Sequence, residues 1–190
     1  MDYLVWKLLL RSRELMKISE PNSTTALLII DVQQGLFQKA TPIYRAEEIL
    51  KNINTLVEKA RYAGVLVVYV QHSDNLALIK GTDGWQLHPQ LQYQDIDTVI
   101  QKEHGNAFED TNLHEILDVR RVNKLVITGL VTYGCVRATC LGAQKFGYNV
   151  TLISDAHSSY HEKAAQLIDE WNQKFLAQKI KLIPTAEVEF

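Results

Sequence analysis

The segment Thr25-Ala26-Leu27-Leu28-Ile29-Ile30-Asp31 is an unbroken apolar run of strand length that stops on a carboxylate. A strand with one face in water alternates apolar and polar side chains, whereas a strand covered on both faces does not. This run therefore belongs in the middle of a sheet with helices on either side. The chain that follows supplies one of them: across residues 43–63, Ile49, Leu50, Ile53, Leu56, Val57 and Ala60 recur at helical spacing, and Gly64 offers a left-handed stop. A second apolar run, Val65-Leu66-Val67-Val68-Tyr69-Val70, comes next, completing a βαβ unit whose crossover is expected to be right-handed.

The alternation continues. Residues 98–102 read as a short strand, and Asp110 or Thr111 is placed to cap a helix carrying Leu113, Ile116 and Leu117. Residues 124–130 read as a strand entering a helix over about 134–146. Residues 148–154 read as another strand before a helix over about 161–178, and residues 180–183 as a short last strand. Strands and helices in this order predict a Rossmann-like, three-layer α/β/α sandwich around a mostly parallel sheet of about six strands. The 190 residues, 46% hydrophobic and 22% charged, suffice for one domain over 25–190. The extension over 1–24 is either an arm that docks on a partner subunit through Leu4, Val5, Leu8, Leu9 and Leu10, or a frayed start.

Charge and cysteine content narrow the function. Twenty basic against twenty-two acidic residues leave a net charge of -2, so no long-range field favours nucleic acid or an anionic membrane. No apolar run approaches the roughly 20 residues that span a bilayer, and Met1-Asp2-Tyr3 lacks the basic start of a secretion signal. The expectation is a cytoplasmic protein acting on a small molecule. Its two cysteines, Cys135 and Cys140, are too few for a disulfide framework. Five helical positions also turn the second side chain about 140° from the first, which argues against a redox pair. The turn after the first strand, Asp31-Val32-Gln33-Gln34-Gly35, lacks GxGxxG, and GxxxxGK[ST] is absent, which argues against a nucleotide-binding oxidoreductase.

In parallel sheets ligands bind beyond the carboxyl ends of the strands. Asp31 closes the first strand, Lys102 the third, and Cys135 follows the fourth after Gly129-Leu130-Val131-Thr132-Tyr133-Gly134. A cysteine where a loop enters a helix faces unpaired N–H groups and the positive dipole end, which favour its thiolate, and a nearby ammonium adds to this. In that arrangement Cys135 is the nucleophile, Lys102 the cation, and Asp31 the base that takes the thiol proton and returns one to a leaving amine. The N–H groups of Val131 and Cys135 are placed to hold the oxyanion of a tetrahedral intermediate. Taken singly, each has a plainer reading: Cys135 as core, Asp31 as a cap, Lys102 as a solvated strand-end charge.

Three segments carry a family resemblance: Ala26-Leu27-Leu28-Ile29-Ile30-Asp31-Val32-Gln33; Gln101-Lys102 with Ala107-Phe108 behind it; and Gly129-Leu130-Val131-Thr132-Tyr133-Gly134-Cys135-Val136 running on to Ser154-Asp155-Ala156. Together they resemble the isochorismatase-like cysteine hydrolases, a superfamily that includes nicotinamidases, N-carbamoylsarcosine amidohydrolases and streptothricin hydrolases. The resemblance implies the isochorismatase-like hydrolase fold, an Asp-Lys-Cys triad at Asp31, Lys102 and Cys135, and a cis peptide between Leu130 and Val131 that shapes the oxyanion hole. It also implies a homo-oligomer, dimer or tetramer. Nicotinamidases resemble one another in an Asp-x-His pair and a further His that hold a metal, whereas the segment after the second strand here reads Gln71-His72-Ser73-Asp74-Asn75. Neither a metal, nor another cofactor, nor nicotinamide as substrate is therefore expected. Members that cleave isochorismate can lack the cysteine, so its presence favours an amide, imide or related acyl bond over a vinyl ether. A silent binding or regulatory module on the same fold is the remaining alternative.

Candidate pocket residues come from the same edge. Gln33 and Phe37 follow Asp31; His72 follows the second strand as a pocket-lining or hydrogen-bonding side chain; Trp85 and His88 lie in the long loop between residues 71 and 96. Tyr133 lies two residues before Cys135, over the site or toward solvent. Phe37 is alternatively core, Trp85 and His88 surface packing, and Trp171 and Phe175 pack against either a second subunit or the sheet.

Overall fold

The computed structural model describes residues 24–190. The proposed arm at Leu4, Val5, Leu8, Leu9 and Leu10 lies outside the described residues. Six strands, β1 (Thr24–Ile30), β2 (Leu66–His72), β3 (Thr98–Lys102), β4 (Val122–Leu130), β5 (Asn149–Ser158) and β6 (Lys181–Ile183), form one sheet in the order β3-β2-β1-β4-β5-β6. Every neighbouring pair is parallel, so the sheet is wholly rather than mostly so. The longer helices are α1 (Ala46–Tyr62), α2 (Leu113–Val119), α3 (Arg137–Lys145) and α4 (Ala164–Ala177), and a single short turn of helix spans Gln34–Phe37.

The β1 run explains the layering. Successive strand side chains point to opposite faces, so Ala26, Leu28 and Ile30 enter one core with Leu113, Leu117, Cys140, Ala143 and Phe175 from α2, α3 and α4. Leu27 and Ile29 enter the other with Ile49, Leu50, Ile53, Leu56 and Val57 from α1. All five β1 side chains are fully buried, and each Leu or Ile contributes about 1.5–3 kcal/mol by that burial. Glu47 and Glu48 in the first turn of α1, with Lys59 and Arg61 in the last, complement its macrodipole.

Several boundaries differ from the sequence-based expectation. The α2 helix begins at Leu113, after Asn112, and of the two expected caps Thr111 supplies a bond, its Oγ1 accepting from Leu113 N at 3.3 Å. The segment before α3 is a π-type turn (Thr132–Val136) whose backbone leaves helical geometry at Gly134. Strand β5 runs four residues past the expected end, because a register shift after Ile127 lets Gly129 and Leu130 pair with His157 and Ser158. Phe175 is fully buried in the core, and the Trp171 ring lies under Arg137 and Lys174 at 5.4 and 4.4 Å, so both pack within the chain.

The loop after β2 is tied down by buried amides. Gln33 Nε2 donates to the carbonyls of His72 (2.9 Å) and Trp85 (2.7 Å), and its Oε1 accepts from His72 N (2.8 Å). The Trp85 indole donates to Ser73 Oγ at 2.9 Å. No helix among the described residues is long and apolar enough to cross a membrane.

Candidate active site

The strand order reverses direction at β1, with β2 on one side and β4 on the other, and such a switch point opens a crevice beyond the strand ends. Asp31 lies just past β1, with φ 51°. His72 and Lys102 are register partners at the ends of β2 and β3. Cys135 rides the π-type turn after β4, behind a cis peptide at Leu130-Val131 where the resemblance implied one.

These residues meet. The Lys102 side chain is 0% exposed, and its ammonium donates to Asp31 Oδ2 (2.8 Å), His72 Nδ1 (3.2 Å) and the His104 carbonyl (3.1 Å). An ammonium has three protons, and here each has an acceptor; His72 Nδ1 must be the unprotonated nitrogen. The other carboxylate oxygen, Asp31 Oδ1, is buried without a hydrogen bond. A carboxylate oxygen of Asp31, a ring nitrogen of His72 and Cys135 Sγ all lie within 4.8 Å of one another.

Burial governs the protonation states. It pushes the Asp31 carboxyl above its usual range, against the pull of Lys102, because a desolvated carboxylate is a stronger base. It pushes the Cys135 thiol up to about 12, with the Asp31 charge adding to the effect and Lys102 opposing it. His72 is held below its ordinary value by burial and then by the Lys102 ammonium, and is neutral at pH 7. The helix end and Lys102 favour the thiolate as expected, but desolvation and the neighbouring carboxylate oppose them and hold the thiol above its ordinary value. At neutral pH the raised value leaves less thiolate than a free cysteine holds. Iodoacetamide should therefore alkylate Cys135 more slowly than it alkylates glutathione at pH 7, with the rate climbing as pH rises; faster alkylation at neutral pH would contradict this account.

The expected pocket residues divide. His72 lines a cleft of about 550 Å³ with Ser73, Asp74, Asn75, Lys80 and His104, and Lys102 borders an adjoining one of about 400 Å³. Neither is lined by Gln33, Phe37, Trp85, His88 or Tyr133. Gln33 is 0% exposed with its amide fully engaged, so it positions His72 rather than a ligand. The Trp85 ring is buried in the core around α1, and Phe37 packs on His88 with ring centroids 4.3 Å apart. Tyr133 is half-buried. Sequence reasoning missed Tyr160, whose phenol is pushed up by burial and then by Tyr133, Cys135 and Asp74 around it. It also passed over Lys80, Glu103 and His104, which line the two clefts from the loop after β2 and the segment after β3; nothing local in the sequence marks them.

A buried histidine braces the nucleophile turn. His157 Nδ1 is hydrogen-bonded to Thr132 Oγ1 (2.8 Å) and Nε2 to Asn172 Oδ1 (3.0 Å), and Thr132 Oγ1 also lies 3.1 Å from the Ser158 carbonyl oxygen. Together with Asp155 it forms the chain's one Asp-x-His sequence, Asp155-Ala156-His157. Asp155 Oδ1 is taken up by Thr185 N (2.8 Å) and Oγ1 (2.7 Å), so the pair brackets structure rather than a metal. Burial lowers His157 to about 4. The unfolded chain binds a proton near pH 6.5 and the folded one only near 4, so His157 stabilises fully above pH 6.5 and loses this on acidification toward 4. The total is about 3 kcal/mol. Urea titrations of wild type and His157→Gln across pH 7 to 4 should show the slope in the first and its flattening in the second.

Comparison with known proteins completes the description. A family model described as isochorismatase domain matches residues 25–177. A streptothricin hydrolase of Streptomyces noursei is 33% identical over 147 residues, 76% of this chain and 53% of its own length, so the chain spans about half of that relative. A probable inactive nicotinamidase of Arabidopsis thaliana is 36% identical over 155 residues, covering 70% of this chain and 79% of its own. A crystal structure of an isochorismatase from Pseudomonas putida KT2440 superposes with a TM-score of 0.81 at 27% identity, covering 87% of this chain and 90% of the other.

Proposed function

The chain belongs to the isochorismatase family of hydrolases, and on that premise we propose that it is a cysteine hydrolase that cleaves a small-molecule amide, imide or related acyl bond through a thioester. One observation carries the reading: a lysine and an aspartate with side chains 0% and 2% exposed are paired at 2.8 Å beside a cysteine thiol. Two desolvated charges cost more than their mutual attraction returns unless something else holds them there, and a proton-transfer site is such a reason.

In the proposed cycle Asp31 Oδ1, buried and unbonded, takes the Cys135 proton as sulfur attacks the substrate carbonyl. The N–H groups of Val131 and Cys135 receive the oxyanion. Collapse breaks the C–N bond, and Asp31 passes the same proton to the leaving nitrogen, so an amine departs and a thioester remains. Water then gives a proton to Asp31, attacks the thioester and releases the acid, and the proton returns to sulfur. Lys102 keeps its charge throughout and steadies the carboxylate. The Arabidopsis relative bears the name probable inactive nicotinamidase, and a silent module on this fold is the second reading. Incubation with a panel of small amides, ureides and imides, followed by acid quench and mass spectrometry, separates the two. The proposal expects an acyl adduct on the peptide bearing Cys135 for at least one compound that is also hydrolysed; hydrolysis without an adduct in any quench would refute the thioester route.

A further inference from the structure

The Asp31, His72 and Cys135 cluster presents one oxygen, one nitrogen and one sulfur donor, all within 4.8 Å of one another. Tetrahedral zinc is held by bonds of about 2.0–2.3 Å, which sets its ligands roughly 3.3–3.8 Å apart; small side-chain adjustments close this cluster to that size. A second feature points inward as well. Asp31 is 1% exposed, yet its Oδ1 has no hydrogen-bond partner, and a buried carboxylate oxygen left unpaired is costly. A mixed thiolate, imidazole and carboxylate set with an open fourth position suits a borderline-soft ion.

We propose that Asp31, His72 and Cys135 bind a thiophilic divalent cation of the zinc class, and that its binding silences the nucleophile. The ion displaces the thiol proton: the S–H bond breaks, a sulfur–metal bond forms, the proton leaves to solvent, and no electron changes hands. Sulfur then lends its lone pair to the metal rather than to a carbonyl. Lys102 opposes this, because its ammonium faces Asp31 and His72 at 2.8 and 3.2 Å. It has somewhere to go. Its third bond already reaches the His104 carbonyl at 3.1 Å, on the cleft of about 400 Å³ that Glu103 also lines. The balance makes the site inhibitory and reversible rather than a resident cofactor site.

The binding half stands apart from the hydrolase reading, and the silencing half rests on it. Co2+ serves as the probe, because its sulfur-to-cobalt absorption in the near ultraviolet reports a thiolate ligand without any assay of activity. One Co2+ per chain should bind with that band, and Cys135→Ser should remove it. Alkylating Cys135 in wild-type protein should do the same without a mutation. His72→Ala should weaken binding by about tenfold or more, whereas Lys102→Met, which deletes the opposing charge and no donor, should tighten it by a similar factor. That opposite sign is what a merely damaged site does not produce. A band that survives in both Cys135→Ser and alkylated protein, or an affinity indifferent to His72→Ala, overturns the site. Zn2+ should also stop hydrolysis and a chelator restore it; hydrolysis unaffected by saturating Zn2+ overturns the silencing. Intact cobalt binding in a protein that hydrolyses nothing would sink the proposed function and leave the metal site standing.

Discussion

Replacing Cys135 with alanine is expected to lower kcat/KM for a hydrolysed amide by about 10,000-fold or more, leaving only what binding and the oxyanion donors supply. The size follows from the chemistry: with no sulfur there is no thioester, and Asp31 is left to activate water against an unactivated amide. Folding should be spared, because Cys135 is half-buried on a turn and alanine introduces neither bulk nor a polar group. An unchanged thermal unfolding midpoint would establish that the loss is chemical. Asp31→Asn and Lys102→Met should fall to similar rates, and each double variant should lose little more than the worse single one, since groups acting as a unit are not additive. A Cys135→Ala protein that hydrolyses at the wild-type rate would end the mechanism.

Gly129→Ala should be the most damaging conservative change for stability. Gly129 takes φ 116°, and a methyl group there would lie 2.2 Å from the Ile30 carbonyl oxygen and 2.6 Å from its nitrogen. Both obstacles are backbone of the central strand, hydrogen-bonded on either side and unable to yield. Relief requires prising β4 from β1, the seam that also sets Asp31 against Cys135, so a loss of at least about 4 kcal/mol is expected, or failure to fold. Gly64→Ala is the control. Gly64 also has a left-handed φ, 69°, but open space around it, and should cost only about 1–2 kcal/mol of conformational strain. Urea midpoints of the two variants test the contrast; equal losses would mean that strain and not the close approach decides at Gly129.

Periodicity was enough for the architecture, because a side chain's burial in a strand or helix repeats with a local period of 2 or 3.6 residues. The Thr25–Asp31 run, the spacing over α1 and the later apolar runs each carried their own evidence, and the errors fell at ends. The start of α2 and the late end of β5 depend on partners: β5 continues to Ser158 because Gly129 and Leu130 pair with its last residues, and no pattern within residues 149–158 encodes that. The three strand-end side chains could likewise be named from the chain alone, because a parallel sheet delivers the ends of its strands to one rim.

What the sequence by itself determined is the wound α/β/α sandwich and the residue types that reach its edge. What only the tertiary structure decided is their state. Positions 31, 72, 102 and 135 are separated by 30 residues or more, so neither the His72 contact with Lys102 nor the orphan oxygen of Asp31 has a local signature. Nor does the proton held on Cys135. Electrostatic energies depend on distances of a few ångströms and on the water excluded around each charge, and both are set by packing between segments that a linear reading never places side by side.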